Sequence, residues 1–183
     1  MYWINEQDCG DINCPENLVE INEDCYYQSD LDVLQDIIDV NESLSGEEPL
    51  DIGGQIWIDR RLVGLNLDSN QLTSLPESIG NLSSLEFLGL SSNQLTSLPE
   101  SIGNLSSLER LWLRYNQLTT LPESIGNLSS LEVLWLFDNQ LTTLPESICN
   151  LPESCYIRVH NNQLCEEYQY DCIDEWEPQD CGD

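Results

Sequence analysis

The chain has 183 residues, is 40% hydrophobic, and sets 34 acidic side chains against five Arg and no Lys, a formal charge of -29. That length suits one compact domain or a short capped solenoid, and the composition permits a real core. The charge repels phosphate backbones and anionic lipid heads, which makes nucleic acid and membrane poor partners. No apolar run approaches the ~20 residues that membrane insertion requires. So many carboxylates read as a solubility or high-salt adaptation, or as a lure for cations such as Ca²⁺. No EF-hand loop or Gly-Asp-rich nonapeptide accompanies them.

From Met1 onward there is neither a basic n-region nor an apolar h-region, so Met1 need not be the native start. Residues 1–28 hold Cys9, Cys14 and Cys25 and read as a poorly ordered segment or a cap. Residues 29–61 read as an N-terminal cap. Within it, Ser29 or Asp30 can N-cap an amphipathic helix over 30–41, with Leu31, Leu34, Ile37 and Ile38 on one face. An edge strand over 55–59 follows Gly53-Gly54, with Trp57 as a lid on the core.

From Leu62 the chain repeats. Asn70, Asn93, Asn116, Asn139 and Asn162 are spaced by 23. The frame Leu62, Leu65, Leu67, Asn70, Leu72 recurs at Leu85, Leu88, Leu90, Asn93, Leu95, and twice more at the same interval. A fifth copy has decayed to Ser154, Ile157, Val159, Asn162 and Leu164. Between frames sits Leu-Pro-Glu-Ser-Ile-(Gly/Cys)-Asn-Leu, at 75–82, 98–105, 121–128 and 144–151. These residues resemble the typical leucine-rich repeat in its 23-residue form, as in bacterial and plant proteins, over 62–164. The resemblance implies a module that mediates protein–protein contact.

The physics leads the same way. In Leu65-x-Leu67 both Leu share one face of a short strand. One rung cannot bury that face; rungs stacked at ~4.8 Å make a parallel sheet over a continuous core. Pro76, Pro99, Pro122 and Pro145 suit first helical positions on the outer side. The expected fold is an α/β leucine-rich-repeat solenoid, curved and right-handed, with a parallel sheet on its concave face and Cys-containing caps.

Residues 165–183 complete it as an acidic Cys-bearing tail or cap. The eight Cys avoid 62–148, which suits disulfide-stapled ends in an oxidising, extracellular or cell-surface setting. Zinc would need CxxC-like pairs with His; His160 is the only His and no CxxC occurs. No metal or other cofactor is expected. Cys149 replaces the Gly of earlier rungs, and 149 + 23 = 172, so Cys149 and Cys172 would face each other if the stack continues one turn. Cys155 with Cys165 and Cys9 with Cys14 are further candidate pairs. Gln-Asp-Cys-Gly-Asp stands at both 7–11 and 179–183, a coincidence or the mark of one unit in a longer tandem protein. The chain is expected to be a monomer or part of such a larger chain.

The repeats differ where strand side chains point away from the core. Rung 2 offers Phe87 there, rung 3 Arg110, Trp112, Arg114 and adjacent Tyr115, rung 4 Val133, Trp135, Phe137 and Asp138, rung 5 Tyr156, Arg158 and His160. Three of the five Arg and the sole His thus collect on one face. Aromatic and Arg side chains dominate binding hot spots. The Arg could pair carboxylates bidentately over a Trp stacking floor, which points to a protein or peptide ligand with acidic and apolar groups. A glycan is the alternative ligand, and a purely structural spacer with aromatics that only brace the sheet is the alternative role. His160 with Asp138 is the one arguable acid–base pair. No Ser or Cys nucleophile keeps register with it, so the chain does not read as an enzyme. Sequons begin at Asn41, Asn81, Asn104 and Asn127, the last three dictated by the repeat.

Overall fold

The structure is a computed structural model in which residues 14–180 are described. Along the chain it forms β1 (Leu18–Ile21), β2 (Asp24–Tyr27), α1 (Gln28–Asp39), β3 (Gly54–Ile58) and β4 (Arg61–Asn66). One short strand per rung follows: β5 (Phe87–Gly89), β6 (Arg110–Trp112), β7 (Val133–Trp135) and β8 (Tyr156–Arg158). Between β4 and β8 each outer side is a 3-10 helix, at Glu77–Asn81, Glu100–Asn104, Glu123–Asn127 and Glu146–Asn150.

The sheet runs β3 to β8 in sequence order, antiparallel between β3 and β4 and parallel thereafter. Its register places Leu65, Leu88, Leu111, Leu134 and Ile157 side by side. The leucines at the frame positions of rungs 1 to 4 are fully buried, as are Ile79, Ile102, Ile125 and Ile148 reaching back from the outer side. Each rung covers the flank of its neighbour, so the stack encloses a core that no single rung could bury.

Backbone polar groups inside the coil are satisfied by the Asn column. Asn116 Nδ2 donates to the carbonyls of Leu90 at 2.9 Å and Leu113 at 3.0 Å, and its Oδ1 accepts from Leu95 N at 3.1 Å. Asn93, Asn139 and Asn162 repeat the pattern, each at most 8% exposed. Close stacking of the outer sides requires glycine. A Cβ on Gly103 would lie 2.3 Å from the Ser124 carbonyl oxygen of the next rung, and Gly80 and Gly126 are equally confined. The four prolines stand one residue earlier than the repeat suggests. They occupy the capping position in extended conformation, with Pro99 at φ -69° and ψ 152°.

Two tight hairpins build the N-terminal end. β1 and β2 turn through Asn22 and Glu23 at φ 54° and 69°, and β3 and β4 through Asp59 and Arg60 at 48° and 70°. Both central residues left-handed is the hairpin turn that matches strand twist. α1 begins two residues before the expected helix, capped by Tyr27 without a side-chain bond, so neither Ser29 nor Asp30 is the N-cap. Asp30 is buried instead and ties the cap to the first rung: it accepts from Arg61 Nε and Leu62 N, both at 2.9 Å. Trp57 packs partly against the core and edge-on to Tyr26 at 4.9 Å. Asn41 is 2% exposed and accepts from Thr73 N at 2.8 Å, which closes the first sequon to a glycan; Asn81, Asn104 and Asn127 are exposed.

At the other end the tail forms an abbreviated extra coil. Glu175 bridges to Arg158 and Gln179 to Asn162 in parallel sense. Gln179 takes over the ladder, its Oε1 accepting from Asn162 N at 3.2 Å and its Nε2 donating to Val159 O at 2.9 Å. Cys149 bonds Cys172 across this junction, with Cα atoms 5.5 Å apart. A side chain fits at 149 because no complete rung stacks beyond it. Cys14 bonds Cys25, which rules out its pairing with Cys9, a residue outside those described. Cys155 is a buried free thiol, so it is not paired with Cys165, which is itself in a disulfide.

Burial, with Asp174 adding to it, pushes the Cys155 thiol up to about 12. The thiolate is the nucleophile, so the native residue is expected to resist alkylation at neutral pH. Peptide mapping after iodoacetamide should find Cys155 modified in denaturant and spared in buffer. Rapid native labelling would contradict the burial.

Candidate functional site

The concave face is a grid fixed by sheet register. One column runs Gly64, Phe87, Arg110, Val133, Tyr156, and the next runs Asn66, Gly89, Trp112, Trp135, Arg158. The repeat carries the third, Asp68, Ser91, Arg114, Phe137, His160, tied by backbone bonds such as Ser92 N to Arg114 O and Tyr115 N to Phe137 O. A fourth position, Ser69, Ser92, Tyr115, Asp138, Asn161, turns the chain out of the sheet at φ between 54° and 63°. All the sequence-derived face residues from rungs 2 to 5 therefore lie on one surface.

Their packing divides that surface in two. Rung 1 is small or polar, and so is rung 2 apart from Phe87. Gly89 leaves room for the Phe87 ring, whose edge meets Trp112 at 4.7 Å. From there an aromatic run crosses the face: Trp112 stacks on Trp135 at 4.8 Å, Trp135 tilts against Phe137 at 6.1 Å, and Phe137 stacks on His160 at 4.6 Å. The two indoles spend faces on each other, so they do not form a flat floor for a sugar ring. Phe137, at 6% exposed, is a buried support and not a contact residue. Tyr115 and Tyr156 stand out, 50% and 41% exposed.

Sequence reasoning overlooked Ile56 and Ile58, 56% and 55% exposed on β3. Ile56 lies against Gly64 and continues the first column outward. The alternation of Ile56 and Ile58 around Trp57 was the available signal.

It also overlooked Glu175. The tail lays this carboxylate over rung 5, where Tyr156 OH donates to Oε1 and Arg158 Nε to Oε2 at 2.7 Å, with His160 Nδ1 at 3.4 Å. Asp138 accepts from Asn161 at 3.0 Å, so the His160–Asp138 pair considered from sequence is replaced by His160–Glu175. These donors hold the Glu175 carboxyl below its ordinary range. The Tyr156 hydrogen bond is the largest cause, and Arg158 reinforces it against the opposing effect of burial. A folded-state value lowered in this way stabilises the docked tail above the ordinary carboxylate range, and the contribution is lost as pH falls through the lowered value. Val159 N is bonded to the Glu175 carbonyl and reports the tail, while Leu113 N, bonded to Trp135 O, reports the inner sheet. On acidification through the carboxylate range, amide protection at Val159 should fall relative to Leu113, and Glu175→Gln should abolish that difference. Parallel behaviour of the two amides would contradict the latch.

Among the described residues, no group of three or more His, Cys, Asp or Glu is arranged to hold a metal ion.

A disulfide-pinned stack of coils, with its variable side chains gathered on one open sheet, has the form of a repeat interaction module. A model described as a leucine-rich repeat region matches residues 60–153, just over half the chain, and the chain belongs to the leucine-rich-repeat family. Among solved structures it is similar to a leucine-rich-repeat protein of Leptospira interrogans, at 42% identity over 55% of this chain, with a TM-score of 0.53. The chain spans 26% of that protein's length. The ectodomain of the receptor kinase SOBIR1 from Arabidopsis thaliana is 25% identical, over 82% of this chain and 93% of the other, with a TM-score of 0.64. The BIR3–SERK2 complex from the same plant gives 27% identity, 72% and 81% coverage, and a TM-score of 0.62. No curated protein matches. These likenesses support a protein-interaction module in general terms, and ectodomain neighbours together with disulfides suggest an extracellular setting. Among the described residues no helix is long and apolar enough to cross a membrane.

Proposed function

We propose that the concave face of rungs 3 to 5 binds a protein or peptide segment, as part of a secreted or surface protein. The supporting observation is the aromatic run from Phe87 to His160, flanked by Arg110, Arg114 and Arg158 in a chain of charge -29. Aromatic and Arg side chains concentrate binding energy, and an apolar stripe rimmed by charge marks an interaction surface. The similarity to a complex between BIR3 and SERK2 fits a protein partner.

Bracing alone would predict otherwise. Cross-strand aromatic pairs add ~0.2–1 kcal/mol each whether or not anything binds. The test is to pan a random displayed peptide library on the immobilised chain. Recovered peptides should lose at least about tenfold in affinity to a Trp112→Ala/Trp135→Ala variant, the effect of removing hot-spot side chains. They should bind a Glu100→Gln/Glu123→Gln variant of the outer side unchanged, with unfolding curves confirming that all three proteins are folded. Equal capture by the folded Trp variant would reject the face.

A further inference from the structure

The three Arg of the concave face differ in what surrounds them. Arg158 gives both Nε and Nη2 to Glu175 at 2.7 Å. Arg110 meets Glu109 of its own rung at 3.3 Å. Arg114 has no carboxylate in ion-pairing reach among the described residues. Among the described residues Arg60 also lacks an ion pair, but it is exposed in the β3–β4 turn; Arg114 is the Arg that lacks one while half-buried among aromatic rings.

Its guanidinium is half-buried above Trp135 at 5.3 Å, with Phe137 and Tyr115 each at 5.8 Å. Arg114 Nε is enclosed without an acceptor, and so are the indole Nε1 atoms of Trp112 and Trp135. Three neighbouring N–H donors thus lack acceptors on a molecule crowded with acceptors elsewhere. Unpaired enclosed donors are destabilising, so the arrangement favours whatever brings an acceptor to them. The outer guanidinium nitrogens are not among the enclosed atoms, so an incoming group meets these first.

The neighbouring column shows which acceptor fits. Arg158 also lies over Trp135 and Phe137, at 5.9 and 4.9 Å, and there a carboxylate grips its fork. We infer that Arg114 is the anchor for a single carboxylate supplied by the ligand; this rests on the concave face being the binding surface. Arg158 and Glu175 neutralise each other, so the face keeps one open anion position. A planar guanidinium matches a carboxylate bidentately, while the overall charge of the chain repels polyanions.

The test follows side-chain N–H signals of the full ¹⁵N-labelled chain by NMR. Four probes are titrated: N-acetyl-glutamic acid α-amide, carrying a side-chain carboxylate; N-acetyl-glycine, carrying a chain-end carboxylate; uncharged N-acetyl-glutamine amide; and inorganic phosphate. Both carboxylates should move Arg114 Nε–H and the Trp112 and Trp135 indole signals saturably, at affinities on the order of 1 mM. The stronger of the two identifies the side chain or the chain end as the source. The glutamine probe should leave the signals in place. Arg114→Gln should weaken binding at least about tenfold, and Arg60→Gln, exposed in the β3–β4 turn outside the concave columns, by less than about twofold. No saturable shift, an equal shift with the glutamine probe, or a stronger response to phosphate would overturn the inference. The wild-type titration decides this even if a variant fails to fold. Peptide capture that depends on the Trp pair without any carboxylate response would sink Arg114 as anchor and leave the binding face standing.

Discussion

Asn116→Ala is expected to cost about 3–5 kcal/mol, whereas Asn70→Ala, at the same place in rung 1, should cost about 1 kcal/mol or less. The letter is identical and the surroundings are not. Asn116 is enclosed between rungs and serves Leu90, Leu95 and Leu113. Its loss strands Leu95 N–H, for about 1–3 kcal/mol, and removes two bonds to carbonyls worth ~1 kcal/mol each. Those carbonyls keep one partner apiece, since Asn93 also reaches Leu90 O and Asn139 also reaches Leu113 O. Asn70 has no preceding rung of the repeat and gives Nδ2 only to Asp68 O. Against a typical total of about 5–15 kcal/mol, the first change should shift a urea midpoint grossly and the second barely. Equal shifts would mean that the Asn column does not carry the stack.

The second large effect is expected outside the sheet. Gly103→Ala places a methyl 2.3 Å from the Ser124 carbonyl oxygen and 2.6 Å from its Cβ. The obstacle is mostly backbone of the adjoining rung, so relief requires the coils to part. A cost of about 3 kcal/mol or more is expected, at the upper end for overpacking. Gly54→Ala is the matched control: its nearest neighbour is Asn66 Cβ at 3.6 Å, an ordinary contact, and the change should stay within about 1 kcal/mol. Thermal unfolding of both variants checks the pair. A Gly103→Ala protein as stable as wild type would place the outer turns farther apart than described.

The solenoid and its face were legible because identical rungs leave only one register. Once Leu65, Leu88 and Leu111 must align, Trp112 can only stand beside Trp135. What lay on the ends was less legible, because the physical signals there do not repeat. The closing coil bridges Glu175 to Arg158 and Gln179 to Asn162 at a separation of 17 residues, so a period of 23 misses it. Gln179 does the work of a ladder Asn with a longer side chain, which no Asn count reveals. The β1–β2 turn uses Asn22-Glu23 where Asn-Gly would have announced a hairpin. Phe137 looked like a contact residue because alternation assigns a side chain to a face, not to a depth. Its neighbours Tyr115 and His160 close over it.

The physical claim beneath all of this is that side chains 23 residues apart stand next to each other on one open sheet. Inter-residue NOEs between the indole protons of Trp112 and Trp135 measure it most directly. With only five Trp the signals are assignable by single substitution, and rings stacked at 4.8 Å should give strong cross-peaks. Cross-peaks from either indole to the methyls of Leu111 or Leu134 at full intensity, with none between the two rings, would turn these side chains into the core and leave the proposed face without its centre.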